Sequence, residues 1–183
     1  MRRNLFLVAM FFLAPASASA QTTIRVDSEN AFDEDSFTPI AYVYVSRAVT
    51  KKVGLFGFAA RSTTWTEGYA GVTFSPRTWI TLGAGAGLEQ DSNPWRLGGT
   101  LWMRTGKSSL FFIGEAGGSG KWYRAVLNHG FKNFGIGAIS QAFLGTGPRV
   151  EITVPGKPLT VWVSRLMGGG NKPSHVIGAT FTF

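Results

Sequence analysis

The last eight residues, Val176–Phe183, read VIGATFTF, and this stretch decides the fold. Its odd-numbered positions carry Ile, Ala and Phe, whereas the even-numbered positions from 178 carry glycine and threonine. This period of two predicts a β-strand with one apolar and one polar face. The stretch ends on Phe183, whose ring would be exposed at the free edge of a soluble sheet. A barrel strand in a membrane would place that ring at the bilayer interface, where aromatic residues are favoured.

The composition of the whole chain agrees with an all-β membrane protein. The 183 residues include 24 Gly, 15 Phe and 6 Trp, and only 15% are charged. Glycine spread along the chain disfavours helices, and strands can satisfy their backbone in lipid only by closing into a barrel. The chain has no Cys, so disulfides and thiolate metal sites are excluded. A soluble β-sandwich is the alternative that composition leaves open.

Turn-forming segments divide the chain at a regular interval. From Phe37 onward, apolar segments alternate with short breaks, and the basic breaks recur about every 25 residues. This interval is the length of a β-hairpin, and six hairpins predict twelve strands. Twelve strands require a weakly signalled first strand at Thr22–Val26; ten strands are the alternative. The basic breaks contain Lys51–Lys52, Pro76–Arg77, Lys107, Lys132 and Lys157.

The start of the chain is expected to be an export signal. Arg2 and Arg3 precede an apolar run of ten residues, Leu5–Ala14, and Ala18–Ala20 has the small-residue pattern of a cleavage site. A helix of ten residues is too short to cross a bilayer core of ~30 Å. We therefore predict that residues 1–20 are a signal peptide cleaved after Ala20. Residues 21–36 would form the short first strand and an acidic loop, and residues 37–183 the remainder of one barrel domain.

The acidic loop is predicted from a cluster of five carboxylates, Asp27, Glu29, Asp33, Glu34 and Asp35. Such a cluster is typical of a solvated loop. It could bind Ca²⁺ weakly, but it lacks the glycine-punctuated spacing of a dedicated calcium loop. No group of His or Cys has the spacing of metal ligands. We therefore predict neither a metal site nor a cofactor.

The terminal aromatic residue, the even strand number and the aromatic residues at segment ends resemble those of bacterial outer-membrane β-barrel proteins of the porin-like type. The resemblance implies an antiparallel up-and-down transmembrane β-barrel in the bacterial outer membrane. It implies the lipid bilayer, the barrel-assembly machinery and small solutes as partners. Phe181 and Phe183 would then form the C-terminal assembly signal. The resemblance identifies no subfamily.

Period-two alternation also predicts which side chains would line the lumen. In several strands the charged residues share one face, and in a membrane barrel that face points inward. Seven glycines, including Gly57, Gly85 and Gly98, would also point inward and leave space. The predicted pore-lining residues are Arg47, Arg61, Glu67, Tyr69, Glu89, Arg96, Arg104, Glu115, Arg124, Arg149 and Glu151.

Six Arg against four Glu would make this lumen positive and favour anions. The same residues could instead pair with one another and brace the barrel, and the sequence leaves both readings open. Two segments depart from the alternation. Phe111 and Ile113 share the face of Glu115, and Arg165 opposes Trp162. A β-bulge that shifts the register would explain such departures.

The leading functional prediction is a porin-like channel for small solutes, with anions as the candidate class. A plugged or narrow structural barrel that contacts partners is the alternative, and a lipid-modifying outer-membrane enzyme is third. No catalytic residue is predicted, because Ser174 and His175 are adjacent in a strand and point to opposite faces. The net charge of +8 is scattered along the chain, so nucleic-acid binding is not predicted.

Overall fold

The computed structural model describes residues 22–32, 36–169 and 173–183. These residues form a closed antiparallel barrel of twelve strands in which each strand pairs with its neighbours in sequence and β1 pairs with β12. The predicted signal peptide and the acidic residues Asp33, Glu34 and Asp35 lie outside the described residues. The strands are β1 Thr22–Phe32, β2 Phe37–Ala48, β3 Val53–Arg61, β4 Thr66–Arg77, β5 Ile80–Glu89, β6 Trp95–Thr105, β7 Ser108–Gly117, β8 Gly120–Gly130, β9 Phe134–Gln141, β10 Gly145–Thr153, β11 Leu159–Gly168 and β12 Ser174–Thr182.

The C-terminal stretch closes the barrel, as expected for its alternating pattern. β12 pairs with β11 on one side and with β1 on the other, where Arg25 lies opposite Thr182 and Phe32 opposite His175. Closure leaves no free strand edge. The predicted twelve-stranded all-β barrel is confirmed, and the alternative of ten strands is wrong. Among the described residues, no helix is both long and apolar enough to cross a membrane.

The two ends of the barrel are distinguished by their connections. At one end, here called the terminus end, lie the start of β1, the end of β12 and the basic turns. The turn at Gly106–Lys107 and the turn around Gly156 use glycines with φ of +57° and +72°, which is the left-handed region that other residues rarely adopt. The opposite end, here called the loop end, carries the connections after β1, β3, β5, β7, β9 and β11.

The first strand is longer than predicted. It runs from Thr22 to Phe32, so that Asp27 and Glu29 lie in a strand and not in a solvated loop. Their alternation with Arg25 directs all three side chains into the barrel. Inside, the Thr180 hydroxyl of β12 donates a hydrogen bond to the Asp27 carboxylate. A partner on the neighbouring strand, distant in sequence, therefore stabilises an acidic residue that the local sequence alone assigned to a solvated loop.

The predicted faces are confirmed along most strands. In β5, the leucines Leu82 and Leu88 are exposed on the outer surface, whereas Glu89 is buried inside. In β3 the assignment is wrong. Phe56, Phe58 and Ala60 are buried inside the barrel, so Leu55, Gly57 and Arg61 belong to the opposite, outward face. The reason is that Arg61 ends its strand at the loop end, where an outward charge can reach water.

The interior is packed with large side chains. One apolar cluster centres on Trp162, Leu166 and Val176, and the other on Phe56, Phe58 and Tyr69. Phe111 packs against the second cluster, and Ile113 is part of it. The pairing of β7 with β6 and β8 continues through these residues without a shift, so no bulge is present there. In β11, Trp162 is buried inside and Arg165 is exposed outside.

Inward glycines provide room for these rings, so they do not leave an empty lumen. A Cβ atom at Gly98 would collide with the ring of Tyr69, and one at Gly178 would collide with the indole of Trp162. The expectation that inward glycines widen the barrel is therefore wrong at Gly98. At Gly98 and Gly178, the space left by a glycine on one strand is occupied by a large side chain from another strand.

Candidate functional site

A cavity of about 520 Å³ occupies the half of the barrel nearest the terminus end. Aromatic rings form much of its wall, and Tyr42 stacks on Trp122 with ring centres 6.1 Å apart. The hydroxyl groups of Thr73, Thr81 and Thr100 belong to residues that line it as well. Apolar walls with a few convergent polar groups are typical of sites that hold small molecules.

The charged residues that line the cavity are almost all basic. Asp27 is the one acidic residue among the described residues of its lining. The Asp27 carboxylate lies 2.9 Å from the guanidinium of Arg25 and also accepts the hydrogen bond from Thr180, so its charge is offset. The cavity therefore carries excess positive charge. The basic residues in the lining are Arg25, Arg47, Lys51, Lys52, Arg104 and Arg124.

Three of these cations, Lys51, Lys52 and Arg104, form what we call the mouth cations. Lys51 and Lys52 lie in the exposed turn between β2 and β3, and Arg104 lies on the inward face of β6 near its end. Among the described residues, no carboxylate forms an ion pair with any of the three. Their charge is therefore available to a ligand at the terminus end.

Beyond the cavity, an ionic group fills the barrel towards the loop end. In this group, called the Arg96 cluster, one guanidinium contacts three carboxylates. The distances from Arg96 nitrogens to the oxygens of Glu67, Glu89 and Glu115 are 2.6, 3.1 and 2.9 Å. The Tyr69 hydroxyl donates to Glu115 at 3.0 Å. All five side chains are buried, and none of them lines the cavity.

A second ionic group, the Arg124 cluster, lies across the interior. The Arg124 guanidinium is 3.2 Å from Glu29, and the Gln141 amide donates to Glu29 at 2.9 Å. Arg124 also lies over the rings of Tyr42 and Trp162, with centroid distances of 5.0 and 5.5 Å. Stacking on aromatic faces and fork-shaped hydrogen bonding suit arginine to such buried positions.

Arg149 extends the Arg124 cluster around Trp162. Its guanidinium lies 4.0 Å from the centre of the indole ring and 3.0 Å from the carboxylate of Glu151. Glu151 in turn accepts a hydrogen bond of 2.7 Å from the Asn128 amide. Because buried charges are stable only when paired and hydrogen-bonded, these contacts link the nearby strands β8, β10 and β11 inside the barrel.

Comparison with solved structures identifies the architecture. A KdgM porin superposes with a TM-score of 0.58 at 12% identity, and the match covers 87% of this chain and 99% of that one. The chain has a porin fold. A NanC porin gives a TM-score of 0.56 at 12% identity, covering 85% and 98% of the two chains. Outer membrane protein Omp33 of Acinetobacter baumannii gives 0.51 at 8% identity, covering 89% and 98%. No family model and no curated protein matches the sequence.

Within this porin fold, most predicted pore-lining residues do point inward, but few of them reach the cavity. Arg104 lies at its mouth, and Arg124 lines it. Arg47 also borders the mouth, but it pairs with the outward-facing Leu55 and so lies on the outward face of β2, which corrects its assignment to the lumen. Glu151 is half-buried against Arg149, and Arg61 is exposed on the outward face of β3, which corrects its assignment to the lumen. The remaining predicted residues are buried in the ionic clusters: Glu67, Tyr69, Glu89, Arg96, Glu115 and Arg149.

The predicted charge balance of the interior is also corrected. Arg25, Asp27 and Glu29 were missed, although their spacing of two residues within β1 is the signal that could have found them. With them included and Arg47 and Arg61 removed, acidic and basic residues inside the described part of the barrel are nearly equal in number. The excess of positive charge is local to the cavity. In the remaining interior of the porin fold, most charged residues form ion pairs between Arg and Glu, as the bracing alternative predicted.

The histidines lie on the outer surface of the porin fold. The His129 ring nitrogen Nδ1 is 2.8 Å from the Ser108 hydroxyl across the β7–β8 pair. His175 lies opposite Arg165 in the β11–β12 pair, and its neighbour Ser174 has the other orientation. In the described ranges, no group of three or more His, Cys, Asp or Glu residues is placed to hold a metal ion.

Proposed function

We propose that this chain is a porin-like barrel of the bacterial outer membrane that admits small anionic solutes from its terminus end. The observation that carries the proposal is the cavity. Among the described residues, its lining contains six basic residues and one acidic residue, and three of the basic ones, the mouth cations Lys51, Lys52 and Arg104, form no ion pair with a described carboxylate. In a cleft with low-dielectric walls, charges of one sign attract ligands of the other sign and raise their local concentration. Arginine side chains also bind carboxylate and phosphate groups with two parallel hydrogen bonds.

The chemistry of the walls favours anions that also carry a ring or hydroxyl groups. Tyr44, Trp102 and Phe111 provide flat apolar surfaces, and the threonines provide hydrogen-bonding groups. One KdgM porin, which matches with a TM-score of 0.57 at 13% identity, is described in complex with disordered oligogalacturonate, an anionic saccharide. That ligand belongs to the other protein, and it supports anions as the first solutes to test here.

Passage through the whole barrel requires the ionic clusters to move. The Arg96 cluster lies outside the cavity lining and is buried, and Trp162 and Leu166 fill the adjacent interior. We therefore expect small, infrequent conductance steps and not a wide, permanently open pore. The same packing favours a second candidate, a non-conducting barrel in which the cavity binds a solute without passing it.

Planar-bilayer recording separates the two candidates. The folded protein, purified from bacterial membranes, would be inserted under a salt gradient, and the reversal potential would be measured. An anion-selective current supports the channel, whereas a cation-selective current contradicts the proposed role of the cavity. A folded barrel without current would establish the non-conducting candidate, and ligand access to the cavity would then be measured by fluorescence.

Access can be measured by quenching of the tryptophans that line the cavity, Trp102 and Trp122. We expect iodide to quench the protein more strongly than caesium, because the cavity attracts anions. Replacing Lys51, Lys52 and Arg104 together by Gln should lower iodide quenching severalfold and shift any conductance towards cations. The matched control replaces Lys107, Lys132 and Lys157 by Gln, since these residues have the same charge and end but do not line the cavity. Equal effects of the two variants would contradict a specific role for the mouth cations.

A further inference from the structure

The terminus end carries a second set of cations that the cavity does not use. Arg77, Lys107, Lys132 and Lys157 are all exposed, and none of them lines the cavity. We call these four residues the rim cations. They lie in or beside four different connections of the barrel, so they are distributed around its circumference. No acidic residue lies in any of these connections.

Each rim cation is close to an exposed aromatic residue, either along the chain or through a backbone hydrogen bond between neighbouring segments. Arg77 is two residues from Trp79. Lys132 lies between Phe131 and Phe134, whose rings stack with centres 4.4 Å apart. Lys107 is joined to the same site, because its carbonyl oxygen accepts a hydrogen bond of 2.8 Å from the Gly130 amide.

The last rim cation is tied to the C-terminal aromatic pair. The carbonyl oxygen of Pro158, the residue after Lys157, accepts a hydrogen bond of 2.9 Å from the Thr182 amide. Phe181 and Phe183, on either side of Thr182, have nearly parallel rings 6.5 Å apart and are exposed. The pairing of one cation with one aromatic site is therefore repeated around the terminus end.

This arrangement fits the structure of a lipid leaflet. Aromatic residues of membrane barrels lie at the level of the headgroups, while the long lysine and arginine side chains extend from the apolar region towards the phosphates. A basic residue near an anionic membrane surface contributes about 1 kcal/mol of attraction. Four such residues without neighbouring carboxylates would favour negatively charged headgroups over zwitterionic ones.

We propose that the rim cations form a binding surface for anionic phospholipid headgroups in the leaflet at the terminus end. The proposal rests on the membrane placement given above and is independent of conduction. The occupant is a lipid and not an acidic protein, because the aromatic residues of this end are exposed and two of them, Phe134 and Phe181, lie on the apolar outer wall of the barrel.

The test measures which lipids surround the barrel at this end. The folded protein would be placed in vesicles that contain phosphatidylcholine and phosphatidylglycerol, with brominated acyl chains on one or the other. Trp79, beside Arg77, is the reporter, and its share of the quenching is obtained by comparison with Trp79→Phe. We expect the phosphatidylglycerol to quench Trp79 at least about threefold more efficiently than phosphatidylcholine at equal mole fraction. The preference should fall in 0.5 M salt, because salt screens exposed charges.

A pair of variants with the same change in charge decides the assignment. Arg77, Lys107 and Lys132 replaced together by Gln should bring the quenching ratio close to one, because Arg77 lies beside the reporter. The matched variant with Gln at Lys51, Lys52 and Arg104 should keep the wild-type ratio. If the first variant does not fold, replacement of Arg77 by Lys and of Lys107 and Lys132 by Arg should fold and keep the ratio, and the salt dependence of the wild type then carries the test.

The outcomes separate this inference from the proposed membrane placement. If neither brominated lipid quenches Trp79, the placement itself is wrong. Equal quenching by both lipids leaves the placement standing and overturns the headgroup surface, as does an unchanged preference in the Gln variant of Arg77, Lys107 and Lys132. A preference that both matched variants lose equally would indicate a general charge effect and would also overturn it.

Discussion

Replacing Arg96 by Met should destabilise the barrel by about 3–5 kcal/mol, because breaking a buried ion pair leaves an uncompensated charge. The loss should lie at the upper end of that range at this position. The guanidinium of Arg96 is the cation shared by Glu67, Glu89 and Glu115, all of them buried. Without it, three carboxylates would face one another in the barrel interior. The measurement is urea-induced unfolding in lipid vesicles, followed by tryptophan fluorescence.

Two comparisons separate the charge effect from the loss of a long side chain. Arg104→Met changes the same strand and the same inward face at an exposed position, and should alter the free energy of unfolding by less than about 0.5 kcal/mol. Adding Glu67→Gln, Glu89→Gln and Glu115→Gln to Arg96→Met removes the repulsion and should recover most of the stability. A combined variant no more stable than Arg96→Met alone would contradict the electrostatic explanation.

The fold could be predicted because every strand of a barrel repeats the same local pattern, in which inward and outward side chains alternate. In β5 each outward residue is apolar and each inward residue is small or polar, and tight turns recur along the chain at a nearly regular interval. Strands can be assigned from this local alternation without any knowledge of contacts between residues distant in sequence. The terminal strand could be assigned for the same reason, since Ile177 and Phe181 alternate with Gly178 and Thr180.

The interior could not be predicted in the same way, because its contacts join residues far apart in sequence. Gln141 donates to Glu29, and Asp27 accepts from Thr180, across separations of 112 and 153 residues. Charged residues in β1 therefore resemble a solvated loop until their partners are known. The opposite error was made at Arg61. Local alternation predicted that its side chain points inward, but Phe56 and Phe58 pack inside the barrel and thereby place Arg61 on the outward face of β3.

The distribution of charge along the barrel axis follows from these long-range pairs. At the terminus end, the cavity lies beside the mouth cations, which form no ion pair with a described carboxylate. In the ionic clusters towards the loop end, there are enough carboxylates to neutralise the arginines. An anion would thus be attracted into the cavity and would meet an acid-rich barrier beyond it. In the proposed function, this asymmetry would make the cavity the site where an anion is captured and the Arg96 cluster the barrier that limits its passage.

Gly98→Ala should destabilise the barrel by about 1–3 kcal/mol, which is the usual cost of inserting atoms into a filled interior. A Cβ atom at this position would collide with the ring of Tyr69. The ring has little freedom to move, because its hydroxyl donates to Glu115 at 3.0 Å and its centre lies 5.1 Å from that of Phe58. Unfolding in urea and the heat-dependent gel mobility of the folded barrel would measure the loss.

The next residue along the chain is the matched control. Gly99 lies on the outer surface, and a Cβ atom there would have its nearest neighbours at 3.8 and 4.0 Å. Gly99→Ala should therefore leave the stability unchanged or raise it slightly, because alanine restricts the unfolded chain more than glycine does. The double variant Gly98→Ala with Tyr69→Ala should lose less stability than the sum of the two single variants, since the collision is absent. Additive losses would show that Tyr69 does not fill the space that Gly98 provides, and the packed interior inferred for this part of the barrel would then be wrong.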